Sequence, residues 1–189
     1  MTGKARVPLL SDEDAKAAAE EAGIPSFMAG LSVFQVLLHN KPVAGALNNL
    51  LSTLLWKGSL DPRLRELVIM RLGWETGSDY EWTQHWRVAT QLGIPEEDIL
   101  AVRDWKNSDR FSAADKAVLA ATDDTLTTGT ISPETWAACE AELGTADLVE
   151  LVVAIGNWRL FSSLLRSLEV PLEEGVESWP PDGARPSGA

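Results

Sequence analysis

Helix punctuation runs through the sequence and leaves little room for other regular structure. Ser11 precedes Asp12-Glu13-Asp14, an N-cap followed by an acidic first turn. Asp61-Pro62 and Ser132-Pro133 each place a capping side chain before a proline at the first helical position. Ser112 and Asp115 have the capping-box spacing. Stops fall at Gly23 (before Pro25), Gly58, Gly77, Gly93, Gly129 and Gly144. Between them the apolar residues recur at helical spacing, and alternating β-branched runs are missing. The expected helices run from Ser11 to Gly23, Pro42 to Gly58, Asp61 to about Gly77, Ser78 to Gly93, Pro95 to about Trp105, Ser112 to Gly129, Ser132 to Gly144, and Thr145 to Val170, with an apolar segment from Ser26 to Asn40.

These signals predict an all-α fold, a bundle of about eight or nine helices. The 189 residues suffice for one sizeable core, so a single domain over 1–189 is expected. Its folded body would cover 10–170. The tail 171–189, rich in proline and glycine, would lack regular structure and dock on the body or on a neighbouring subunit. Sixteen basic against 28 acidic residues give a net charge of −12, which argues against nucleic-acid and anionic-membrane partners. No uninterrupted apolar run reaches about 18 residues, so no membrane span is expected. The opening MTGKARVPLLSDED has no apolar leader core. Cys139 is the only cysteine, which excludes an intrachain disulfide or CxxC pair and reads as a small core residue. A cytoplasmic location is the expectation from these features.

The chemistry-bearing residues concentrate between Glu66 and His85, where Glu66, Ser78, Glu81 and His85 follow the spacing E-x11-S-x2-E-x3-H. Ser78, Glu81 and His85 fall on one face of a helix, with Trp82 and Ala89 extending it. Glu66 lies on the preceding, mostly apolar helix. The tight Thr76-Gly77 turn makes the two helices antiparallel neighbours, so Glu66 can approach His85. A partly buried Glu–His pair titrates near neutral pH and suits proton transfer. Glu81 would orient the imidazole, Ser78 would contact a substrate oxygen, and Tyr80, the only tyrosine, would be a second proton donor. Trp74, Trp82, Trp86 and Trp158 are candidates to wall a pocket.

Plainer readings exist for the same residues. Glu81–His85 at i,i+4 is also an ordinary helix pair, and Ser78 with Glu81 is also an ordinary capping box. His39 ends a helix and reads as structural. A metal site from Glu66, Glu81 and His85 lacks a recognised ligand spacing, and a Ser78–His85 nucleophile lacks the elbow glycines. No glycine-rich phosphate cradle is present, and neither cofactor nor metal is expected. Leu64, Glu66, Leu67, Val68 and Trp74 repeat at the spacing of Leu148, Glu150, Leu151, Val152 and Trp158, from chance similarity or from a duplicated helix pair.

The segment LDPRLRELVIMRLGWETGSDYEWTQHWRVATQLGIPEEDI, residues 60–99, resembles the carboxymuconolactone decarboxylase superfamily, which includes alkylhydroperoxidase D-like proteins. Weaker similarity continues in VELVVAIGNWRLFSSLL. The peroxidase branch carries E-x11-C-x2-C-x3-H. Glu66 and His85 match that pattern, Ser78 and Glu81 stand at the two cysteine positions, and Tyr80 stands at that of a second histidine. The resemblance therefore implies an alkylhydroperoxidase D-like helical fold without the thiol pair. It implies acid–base chemistry, and the reading taken from it is an enzyme of the decarboxylase, isomerase, lyase or hydrolase type on a small organic molecule; a lactone or carboxylate is the candidate substrate, which the resemblance itself does not fix. It also implies a homo-oligomer (dimer, trimer or hexamer), for which the apolar segment from Phe27 to Leu38 would suit an interface. The alternatives are an antioxidant peroxidase-like protein and a non-catalytic ligand-binding member.

Overall fold

The computed structural model describes residues 5–187. Met1–Lys4 of the amino-terminal stretch and Gly188–Ala189 of the expected tail lie outside the described residues. Among the described residues all regular structure is helical. The α-helices are α1 (Asp12–Glu21), α2 (Ser32–Leu37), α3 (Lys41–Trp56), α4 (Pro62–Thr76), α5 (Asp79–Gln91), α6 (Glu96–Ala101), α7 (Ala113–Thr128), α8 (Pro133–Glu142) and α9 (Thr145–Leu168), with three short 3-10 turns.

The chain forms two compact units. Among the described residues, one takes those up to Lys57 together with Ser163–Val176, and the other takes Gly58–Ser162 and those from Glu177 onward. In the first, α1 is capped by Ser11, whose hydroxyl accepts from Asp14 N at 3.1 Å. His39 is paired with the Pro8 carbonyl at 2.8 Å, a structural contact. Phe27 is 64% exposed, but Met28, Ala29 and Ser32–Leu38 are buried. Apart from Phe27, the segment expected as an exposed interface is therefore mostly core, with Met28, Ala29 and the apolar residues of Ser32–Leu38 turned inward.

The second unit is organised around α4. Asp61 caps it, accepting from Arg63 N and Leu64 N, and Pro62 occupies the first helical turn. Every residue from Leu64 to Gly73 is buried. A helix buried all round can carry charge only where each charge is paired. Arg71 meets Asp123 at 2.7 Å and donates to the Val102 and Arg103 carbonyls. Just outside that stretch, Arg63 meets Asp115 and Asp98. Gly77 ends α4 with a φ of 65°, which a side-chain-bearing residue rarely adopts, and α5 turns back antiparallel. Gly73 makes that return close. A Cβ there would sit 3.1 Å from Trp82 N and 3.6 Å from the Glu81 Cβ.

The two serine capping boxes diverge. At Ser112 both reciprocal bonds with Asp115 form. Ser78 stands at the N-cap position of α5 but makes no side-chain cap bond, and Glu81 turns toward His85 instead. The carboxylate that would close the box is committed elsewhere.

α9 is long and apolar enough by length and composition to cross a membrane, though half of that stretch is buried inside the protein. Leu151, Ala154, Ile155, Trp158 and Phe161 are core residues, while Val149, Val152, Val153 and Leu160 are exposed. The echo between α4 and α9 does not extend to roles. Glu66 pairs with a histidine, whereas Glu150 accepts from Ser59 N and Leu60 N. The tail has no helix over 171–187, yet Trp179 is 2% exposed and belongs to the core cluster with Trp82, Trp86 and Met70.

Candidate functional site

Glu66 sits one turn into α4, and its side chain is fully buried. Its Oε2 lies 2.7 Å from His85 Nδ1, and its Oε1 accepts from Arg65 Nε at 3.1 Å. The antiparallel turn at Gly77 thus brings together residues 19 positions apart, as the sequence suggested. Glu81, one helical turn before His85 on α5, places Oε2 3.6 Å from His85 Nε2. Trp158 comes from α9, 73 positions away, and points its indole N–H at the same Nε2 at 3.2 Å. Its ring stands edge-on to the imidazole, with centroids 5.8 Å apart.

The electrostatics follow from burial. Removing Glu81 from water pushes its carboxyl up to about 7; the charge of His85 pulls it down and that of Glu66 pushes it up. For His85, burial works against the charged ring. The charge and hydrogen bond of Glu66, then the charge of Glu81, outweigh burial and the opposing Arg65, so the imidazole sits above the ordinary histidine value.

The indole adds a geometric condition. A tryptophan N–H only donates, so the Trp158 contact is a hydrogen bond only while Nε2 carries no proton. In that state Nδ1–H donates to Glu66, and the neutral ring presents a basic Nε2. In the charged state Nε2–H faces Glu81. The site therefore offers one proton two places, the Glu81 carboxyl and His85 Nε2, while Glu66 fixes the ring from the other side.

Ser78 shares the face of α5 with Glu81 and His85. Its buried hydroxyl has no hydrogen-bond partner among the described residues. Tyr80 is buried on the same turn, but helical geometry places it about 140° around α5 from His85. Trp74 and Trp82 stand in an aromatic cluster with Trp86 and Trp179. Arg65 was missed from sequence. Its signal was available, since an arginine inside the run LRELVIM must find a carboxylate when that run is buried.

Cys139 is fully buried on α8, and burial, with Asp124 adding to it, pushes its thiol up to about 11. Its Sγ is directed at the Ala117 carbonyl at 3.5 Å. Among the described residues no group of three or more His, Cys, Asp or Glu is arranged to hold a metal ion.

Comparison with known proteins follows the same residues. The model of the carboxymuconolactone decarboxylase family matches residues 41–124. Among solved structures, the alkylhydroperoxidase AhpD core of an uncharacterized peroxidase-related protein from Ralstonia eutropha JMP134 superposes with a TM-score of 0.75 at 13% identity, covering 98% of this chain and 100% of that one. An uncharacterized peroxidase-related protein from Silicibacter sp. TM1040 gives 0.71 at 13% identity, covering 92% and 91%. A cysteine-to-alanine variant of the debrominase Bmp8 in complex with 2,3,4-tribromopyrrole gives 0.68 at 16% identity, covering 86% and 85%. No curated protein matches the sequence. At these identities the structural likenesses establish the fold, an alkylhydroperoxidase D-like helical bundle.

Proposed function

We propose that this chain, whose residues 41–124 match the model of the carboxymuconolactone decarboxylase family, is an acid–base enzyme acting on a small organic molecule, with a lactone or carboxylate as the candidate substrate. The observation that carries the reading is the buried Glu66–His85–Glu81 array, in which one imidazole nitrogen is held by a carboxylate and the other faces a carboxyl poised near neutrality. Glu66 keeps the ring in the Nδ1–H form, His85 Nε2 takes the substrate proton, and Glu81 returns one. Ser78 supplies a hydroxyl for a substrate oxygen. A carboxyl that titrates near 7 beside an imidazole raised above the ordinary histidine value shares one exchangeable proton, and the form with that proton on Glu81 supplies acid and base together.

Thiol chemistry has little support. Residues 41–124 contain no cysteine, and Ser78 and Glu81 stand where the peroxidase pattern has sulfur. Cys139 is buried with a raised thiol and has no histidine beside it in sequence. The debrominase neighbour was solved as a cysteine variant, and its reaction does not transfer by register. A second reading, a non-catalytic ligand-binding member, rests on one observation: Trp158 already occupies Nε2, in a cluster where His85 is 8% and Glu81 5% exposed. The homo-oligomer implied by the family is also proposed. The exposed Val149, Val152, Val153 and Leu160 on α9 support it, and light scattering of the eluted protein tests it.

Assay of carboxymuconolactone and related lactone acids separates these readings. Enzymatic turnover should fall about 10²- to 10⁴-fold in His85→Ala and Glu66→Gln. Turnover that survives both substitutions contradicts the assignment. Hydroperoxide consumption abolished by Cys139→Ser would favour the redox reading instead.

A further inference from the structure

Helix α5 carries Glu81 and His85, yet its first turn lacks the cap bond its own serine should supply. The chain's carboxyl-terminal strap takes over that end. Asp79, the first residue of α5, accepts from Ser178 Oγ at 2.5 Å and from Trp179 N at 3.1 Å, and also from Thr83 Oγ1 at 2.9 Å. Trp179 N lies 3.2 Å from Thr83 Oγ1 as well. Trp82 Nε1 donates to the Pro180 carbonyl at 2.8 Å. Residues 79, 82 and 83 bracket Glu81, so the strap grips the turn on which Glu81 sits.

Trp179 seats the strap. Its ring lies 6.0 Å from both Trp74 and Trp82, and its backbone holds a φ of 54°, which a bulky residue takes only where its surroundings impose it. Beyond it, Arg103 closes the strap with two bonds to Asp182 at 2.8 and 3.0 Å and stacks over Trp74 and Trp82 at 4.6 and 4.8 Å. On the other side of the same turn, a Cβ on Gly73 would sit 3.1 Å from Trp82 N, tighter than an ordinary contact. The first turn of α5 is clamped between α4 and the strap.

We propose that Asp79, Ser178 and Trp179 are positioning residues of the site, holding the first turn of α5 so that Glu81 stays buried against His85. None of them touches the reacting groups. They act through the helix. The inference rests on the proposed function only in treating Glu81 and His85 as the site. The groups facing His85 are Glu66 and Arg65 from α4, Glu81 from α5 and Trp158 from α9.

The test follows the Glu81 carboxyl directly, by carbon-13 NMR of glutamate Cδ in the full chain, assigned by its loss in Glu81→Gln. Trp179→Ala changes no charge and should move the Glu81 inflection toward the ordinary carboxyl range by at least about 0.5 pH unit, as water reaches the loosened turn. Ser178→Ala should move it in the same direction by less, and it serves alone if Trp179→Ala does not fold. Asp79→Ala should shift it, with Asp79→Asn, which keeps an acceptor, recovering most of the wild-type value. A Glu81 inflection unchanged in both Ser178→Ala and Trp179→Ala overturns the proposal, as does an Asp79→Asn shift equal to that of Asp79→Ala, which would mark a through-space charge effect. Neither result touches the assay of His85→Ala, so the strap and the function fail separately.

Discussion

On the α7 side of α4, Arg63 and Arg71 meet Asp98, Asp115 and Asp123, while on the α5 side Glu66 and Glu81 converge on one imidazole. In the first cluster every carboxylate meets a permanently charged group, because Arg110 also reaches Asp98 and Lys106 also reaches Asp123. Arg63 engages both oxygens of Asp115, Arg71 engages both oxygens of Asp123, and the Trp105 indole and two backbone carbonyls take up the remaining bonds. In the second, Glu66 meets Arg65 as well as the ring, but Glu81 has only the titratable imidazole, which leaves a proton with two places to sit beside a serine hydroxyl that has no hydrogen-bond partner among the described residues. One helix therefore supports two kinds of buried charge. Matched pairs fix the core, and an unmatched set stays able to exchange a proton.

The contrast breaks most visibly at the matched pair. Arg71→Ala leaves a partly buried Asp123 with only Lys106 and the Trp105 indole, frees two backbone carbonyls, and should cost about 2–3 kcal/mol in urea unfolding at neutral pH. A loss below about 1 kcal/mol would place this cluster among ordinary surface pairs.

The unmatched set should behave oppositely. The raised Glu81 carboxyl favours the folded state fully below about 4.5, and that contribution is lost as pH rises to about 7. His85, also raised, has the same sign: its contribution is present below about 6.5 and is lost as pH passes its folded value. Wild-type stability should therefore fall as pH climbs from 4.5 to above 7, by an amount on the order of 3 kcal/mol for Glu81. Glu81→Gln should flatten that fall and be the more stable protein at pH 8. A variant that parallels the wild-type pH curve would show that Glu81 titrates normally.

The two serines give the smallest and sharpest contrast. Ser112→Ala loses a formed capping box and should cost about 1 kcal/mol. Ser78→Ala removes an unpartnered hydroxyl and should cost close to nothing in thermal unfolding, while lowering turnover. Equal costs at the two positions would mean that Ser78 caps α5 after all.

Much of this was legible in the residues. Asp61-Pro62, Gly77, Ser112 and Ser132-Pro133 set helix ends because capping is local chemistry, and the structure keeps them. The Glu66–His85 meeting was legible because a tight turn between apolar helices leaves one geometry. What local pattern could not supply came from distant contacts. Trp158 reaches His85 across 73 positions, and Trp74 and Trp82 face Trp179 of a tail that composition marks as irregular. Ser78 and Glu81 have a sound capping-box spacing, and only the competing imidazole undoes it. The apolar run from Phe27 to Leu38 reads equally well as core or surface until its neighbours are known.

The protonation state of His85 decides whether this site is a base. The chain has two histidines, His39 and His85, so nitrogen-15 imidazole spectra contain two sets of signals, with His39 as internal reference. The expected result is a neutral His85 at alkaline pH with the proton on Nδ1 and a bare Nε2, protonating at a pH above the ordinary histidine value as the solution is acidified. A proton on Nε2 in the neutral ring, or a His85 that stays neutral well below pH 6.5, would contradict the Glu66–His85–Glu81 assignment.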